Sequence, residues 1–206
     1  GWPGDKKQRD RGGRGGERGQ GASLVKGFWL DHQCRVWLRR GVPSDRKRFA
    51  EEESLSKSLV LGGLATVLAH DKGDGGEPFV VLSASDDRSE RSLDDSSRPL
   101  PQALHLARQG VAALAGLHRS GLILPDARRH RFLLTSGREP CLRLADLGGL
   151  ASASAEDCAE RLVLLTHRLC RDLLSEHEED LSAGLRSFVR QGGVSADQWA
   201  RALAVE

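Results

Sequence analysis

The densest apolar patterning in the chain runs from residue 106 to residue 150. Leu106, Val111, Leu114 and Leu117 recur at helical spacing, and Gly121 closes the helix. Two short apolar runs follow, with Asp126 before the first and Asp146 after the second. The pattern predicts a helix, a loop with an acid, a strand, a turn, a second strand and a second loop with an acid.

Upstream the period changes to alternation. Leu24, Lys26, Phe28 and Leu30, then Cys34, Val36 and Leu38, predict two strands joined at Asp31-His32-Gln33. Residues 46–59 predict a helix with Phe49, Leu55 and Leu59 on one stripe. Glu51, Glu52 and Glu53 lie near its start, where acids suit the helix dipole. Residues 60–68 and 78–82 read as strands about a Gly- and Asp-rich turn at 71–77, and the polar stretch 83–98 reads as a hinge or linker. Downstream, helices are expected over 160–174, with Leu162, Val163, Leu165, Leu169 and Leu173 apolar, and over 181–189. A last, capped helix opens at Ser195-Ala196-Asp197-Gln198. The expectation is an α+β protein with a β-rich first part (21–98) and a mainly helical second part (99–206).

Composition narrows the classes. A chain of 206 residues can bury a real core, and its net charge of +2 supplies no global pull toward nucleic acid or anionic membrane. No apolar run reaches membrane-spanning length and the first residues are polar, so no membrane partner is expected. The chain opens on Gly and holds no Met, which reads as a fragment or processed form. Cys34, Cys141, Cys158 and Cys170 show no C-x-x-C pair and no His at metal spacing, so reduced, buried thiols in a cytoplasmic or nuclear protein are expected.

Residues 1–20 are nearly devoid of apolar side chains and are expected to form a disordered tail. Within them Arg11-Gly12-Gly13-Arg14-Gly15-Gly16 is a double RGG unit, a pattern of weak, sequence-tolerant RNA contact, although two units are few and a solvated low-complexity leader is the plainer reading.

The central stretch resembles the core of the protein-kinase-like superfamily. Leu124-Pro125-Asp126-Ala127-Arg128-Arg129-His130-Arg131 sits where kinases carry H-R-D-L-x-x-x-N, and Asp146-Leu147-Gly148 stands for D-F-G. Val36-Trp37-Leu38-Arg39 stands for V-A-I-K, with Arg40 as the alternative register, and Glu52 falls where the helix glutamate would pair with the strand lysine. Of the phosphate-covering glycine loop only Gly21 remains. The resemblance implies a bilobal fold with a small β-rich N-lobe, a truncated helical C-lobe and a cleft between them. That cleft would take ATP with magnesium: Gly21, Arg39, Glu52 and Asp146 at the nucleotide, Asp146 on the metal, Asp126 near the nucleophile. Only residues 149–159 separate the D-F-G-like motif from the next expected helix, and no A-P-E motif follows. This shortened C-lobe is similar to the small atypical kinases of the KEOPS tRNA-modification complex, where a Q-G-A segment (here Gln20-Gly21-Ala22) and an S-A-x-x-E-D-like run (here Ser154-Ala155-Glu156-Asp157) also occur.

The departures decide the functional expectation. Arg39 replaces the phosphate-gripping Lys, Leu124 and Pro125 replace His and Arg, and Arg131 replaces the Asn on magnesium. A guanidinium offers a cation no acceptor, so Arg131 is expected to pair with Asp146 instead. The first expectation is a catalytically impaired pseudokinase acting as a scaffold for a protein partner. The alternative is a small active kinase or ATPase of the KEOPS type using Asp126 and Asp146. A third is an RNA-associated subunit whose tail joins a basic patch of Arg128, Arg129, His130 and Arg131.

Overall fold

A computed structural model describes residues 24–205 except 58, 60, 74, 86–89, 94–96 and 136–138. Gly21 and the Arg-Gly tail lie outside the described residues. The first elements are a hairpin, β1 (Leu24–Trp29) and β2 (Cys34–Arg40). Its turn puts Gln33 at φ +48, where the chain reverses. A helix, α1 (Arg46–Ser56), follows, then β3 (Val67–Lys72) and β4 (Pro78–Ser83). The four strands form one antiparallel sheet in the order β1-β2-β4-β3. Phe49, fully buried, and the partly buried Leu55 and Leu59 join α1 and its end to the core, as the apolar stripe predicted.

Two expectations need correction. The strand expected over 60–68 begins only at Val67, and residues 61–66 precede it. Their apolar character has another cause: Gly63 O accepts from Leu144 N at 2.7 Å and Ala65 N donates to Leu144 O at 2.8 Å, so the segment crosses to the second half of the chain. Nor is 83–98 a bare linker. It carries the short β5 (Arg91–Ser92), and its Glu90, Leu93 and Arg98 are buried.

The second half is built on α2 (Leu100–Arg119), which buries eleven of its twenty residues. A short β6 (Leu122–Ile123) leads into the Asp126 loop, a 3-10 turn, and the hairpin β7 (Phe132–Leu134) with β8 (Leu142–Leu144). β5 pairs with β7, and β6 pairs with β9 (Ala151–Ser152). Helix α3 (Ala155–Leu174) starts five residues before the expected 160, since Ser154 Oγ accepts from Asp157 N at 3.1 Å and the cap, with Glu156 and Asp157, suits the helix dipole. Then come α4 (Ala183–Gln191) and α5 (Ala196–Val205). The expected reciprocal cap of α5 is formed, with Ser195 N donating to Gln198 Oε1 at 2.9 Å and Gln198 N to Ser195 Oγ at 3.3 Å. Among the described residues no helix is long and apolar enough to cross a membrane.

Of the thiols, Cys158 and Cys170 are buried, Cys34 is half-buried and Cys141 exposed, so burial holds for two of the four. Burial pushes the Cys170 thiol up.

Helices α2 and α3 approach closely at Gly110, where an added Cβ would stand 2.3 Å from Leu169 Cδ2 and 3.3 Å from Leu142 Cδ2. Leu169 is fully buried and cannot swing aside into solvent. Gly110→Ala is therefore expected to destabilise the fold by about 1–3 kcal/mol through overpacking, against the roughly 1 kcal/mol that a helical Gly→Ala change otherwise gains. Urea denaturation measures the net sign.

Candidate functional site

Strand side chains alternate, so Trp37 and Arg39 of β2 face the same way, inward, and both are buried. On α1, Phe49 and Glu52 are three residues apart and share a face. Arg39 Cζ lies 4.7 Å from the centre of the Phe49 ring, and its Nη2 donates to Glu52. Its other terminal nitrogen, Nη1, donates to Asp146 in the turn after β8. One guanidinium, 1% exposed, thus ties β2 to α1 and to the second half of the chain. Arg40, next along the strand, is exposed.

Asp146 is fixed by its own turn as well. Gly148 N donates to Asp146 Oδ1 at 2.9 Å. A Cβ at residue 148 would sit 2.9 Å from both Arg39 Nη1 and Asp146 Oδ1, so the motif needs glycine here for close approach.

Arg131 enters from the turn before β7. Nε donates to Asp126 Oδ1 at 2.6 Å, and Nη2 to Oδ2 at 3.3 Å. Nη1 donates to the carbonyls of Asp146 at 2.9 Å and Gly148 at 3.0 Å. Its distance to the Asp146 carboxylate is 3.7 Å. The expected Arg131 to Asp146 ion pair is thus present, but Asp126, on the same short loop, is the nearer partner, and Arg39 also takes Asp146. Of the expected basic patch, Arg131 is 6% exposed and turned inward, whereas Arg128 is exposed and Arg129 and His130 are half-buried.

The result is a row of alternating charge, Glu52, Arg39, Asp146, Arg131, Asp126. Burial alone would raise the Asp146 carboxyl, but the charges of Arg39 and Arg131 outweigh it and hold the group below its usual range. Burial acts the same way on Asp126 and is outweighed by the hydrogen bond and charge of Arg131. Glu52 goes the other way: burial, helped by the charge of Asp146, pushes it up against the shared Arg39 and the charge of Arg48, and its Oε1 has no hydrogen-bond partner among the described residues. For Arg39, burial works against the charge but the two carboxylates prevail and raise its pKa.

The sequence thus marked Asp126, Arg131, Arg39, Glu52 and Asp146 as residues of one site, and the fold brings all five together; Gly21 is outside the described residues. It missed Glu90. That carboxylate, 2% exposed, accepts from Trp37 Nε1 at 2.8 Å, from Ser85 N at 2.8 Å and from Arg143 Nη1 at 2.7 Å. Arg143 of β8 also donates to Ser83 O at 3.2 Å and Oγ at 2.8 Å. Glu90 sits in a polar run with no periodicity, so no sequence signal marks it. Trp37 was legible, being two residues from Arg39 on a strand. Among the described residues no group of three or more His, Cys, Asp or Glu side chains gathers where it could hold a metal ion.

No family model and no curated protein matches the chain. Solved structures do. The kinase domain of PknI from Mycobacterium tuberculosis superposes with a TM-score of 0.60 at 17% identity, over 89% of this chain and 90% of that one. Two double mutants of that domain give TM-scores of 0.60 and 0.61 at 17% identity, each over 90% of this chain and 92% of theirs. The fold is kinase-like, with a β-sheet N-terminal region and a helical C-terminal part.

Removing Arg39 leaves Glu52 and Asp146 buried and facing one another. Arg39→Met is expected to cost about 3–5 kcal/mol at pH 7, and less near pH 4 as the two carboxyls protonate. For the unaltered chain the sign is fixed by the lowered carboxyls: Asp126 and Asp146 contribute stability that is full above the unfolded carboxylate pKa and lost as pH falls through their folded values. Glu52, raised, opposes this by taking its proton more readily in the folded state. Urea midpoints of both proteins between pH 7 and pH 3 test the pair.

Proposed function

We propose that this kinase-like domain does not transfer phosphate and acts by binding a protein partner. The observation that carries the reading is Arg131, buried at the place of a magnesium ligand and bonded to both oxygens of Asp126. Phosphoryl transfer depends on positioning and charge neutralisation: a lysine on the phosphates, acceptors on magnesium, a free carboxylate near the nucleophile. In this cluster the strand cation is already shared by two carboxylates. The residue before β7 has only donors to offer a cation. Asp126, the candidate base, is held as an ion pair. The donor set does not fit a magnesium nucleotide, and what remains of the fold is a surface for partners.

One observation favours the alternative, an active small kinase or ATPase of the KEOPS type. The buried pair of Arg39 and Glu52 is formed, and in kinases the corresponding strand-cation to helix-glutamate pair must be in place for activity. Arg39 is a planar fork where a point charge is usual, so the pair alone does not restore the phosphate grip.

A thermal-shift titration with ATP, with and without magnesium or manganese, separates the two. A ligand that binds the native state must raise its melting temperature by mass action. No shift at millimolar nucleotide is expected in any condition. A metal-dependent rise that is lost in Asp146→Ala overturns the proposal in favour of the active reading.

A further inference from the structure

A nucleotide whose phosphates lay at Arg39 would have to extend away from α1, toward the segment that follows β4. The next inward side chain of β2 in that direction is Trp37, about 6–7 Å along the strand. Register places Trp37 opposite Leu82 of β4, three residues before Ser85, so its ring lies between the ion-pair row and the connecting segment. The indole is 4% exposed. Its only donor, Nε1, is taken by Glu90 at 2.8 Å, and the same Glu90 oxygen accepts from Ser85 N at 2.8 Å. From β1, Lys26 Nζ covers the ring at 5.4 Å from its centre. The crevice left beside it, lined in part by Gly27, Ala84 and Ser85, has a volume of about 40 Å³, room for a few waters and not for a purine.

We infer that Trp37 is the resident occupant of the base end of this cleft: a planar N–H heterocycle supplied by the chain itself, held by the Glu90 carboxylate where a nucleobase would otherwise sit. The inference builds on the reading of the cleft as a nucleotide site that has lost its chemistry, and names what closes it. It also assigns the chemical class that the emptied site would accept. Glu90 receives a donor, so the ligand must be a flat aromatic heterocycle with an N–H at its edge, as indole and adenine are.

Trp37→Ala, titrated with indole, adenine and benzofuran and without metal, tests this. The variant should melt below the wild-type protein, and indole or adenine at a hundredfold excess over Kd should raise it by about 5–10 °C. Benzofuran, the same shape without the N–H, should raise it less. None of the three should move the wild-type protein. A Trp37→Ala protein that keeps its far-UV circular dichroism yet ignores indole and adenine overturns the inference, as does an adenine shift in the wild type. Should the variant not fold, the wild-type protein carries the test: the Trp37 indole N–H should exchange slowly with heavy water and its resonance should stay put in millimolar adenosine. Fast exchange, or a resonance that adenosine moves, overturns the proposal. Adenine has no phosphate and needs no metal, so these outcomes are independent of whether ATP binds through Asp146.

Discussion

A buried arginine cannot shed its proton at any pH the fold survives, so its surroundings must be built to suit it. Arg39 meets that demand by reaching two carboxylates that are far apart in sequence, Glu52 of α1 and Asp146 after β8. The forked guanidinium makes this possible, for one nitrogen serves each acceptor while the Phe49 ring covers the plane. A lysine would have to serve both carboxylates from a single nitrogen, drawing them toward one point. The disposition of β2, α1 and the Asp146 turn therefore rests on one side chain, and the tight backbone at Gly148 follows from how near the guanidinium comes.

The same charge row underlies the proposal that the site does not transfer phosphate. Each aspartate that could act on a nucleotide is engaged by an arginine, and the order of the row settles their ionisation: Asp146, between two cations, is held down, whereas Glu52, at the end with a shared one, is driven up by burial. Further along, Glu90 gathers an indole of β2, a backbone amide of the connecting segment and Arg143 of β8. The two carboxylate hubs lie on either side of Trp37 and Arg39, and both join the sheet to the second half of the chain. Residues 63 and 65 add backbone hydrogen bonds to Leu144 in the same sense.

Much of this was legible beforehand, for a physical reason. Elements whose pattern is local, α1, the start of α5 and the hairpin β1–β2, lie close to their expected bounds because each side chain's burial is set by its own period, whereas α2 begins at Leu100, six residues before the patterned stretch. The site cluster was legible because Asp126, Arg131, Arg39, Glu52 and Asp146 stand at the motif positions of the superfamily that the chain resembles. Where pattern depended on a distant segment it failed. Residues 63–65 look like part of a strand but serve the contact with β8, and the polar run 83–98 looks like a linker but holds a buried carboxylate. Arg131 shows the limit most plainly: its sequence position excluded a magnesium ligand, yet which aspartate it would choose depended on loop geometry.

What the sequence determined alone, then, was the order of elements, which follows from residue type and spacing; the kinase-like core, and the expectation that Arg131 stands where a metal-binding acceptor would, came from a resemblance of motifs. What only the tertiary structure decided was pairing: Asp126 with Arg131, Arg39 between Glu52 and Asp146, and Trp37 with Glu90. Ion pairs and hydrogen bonds between buried groups are chosen by distance and by the cost of leaving any of them unmet, and both quantities exist only once the segments have been brought together.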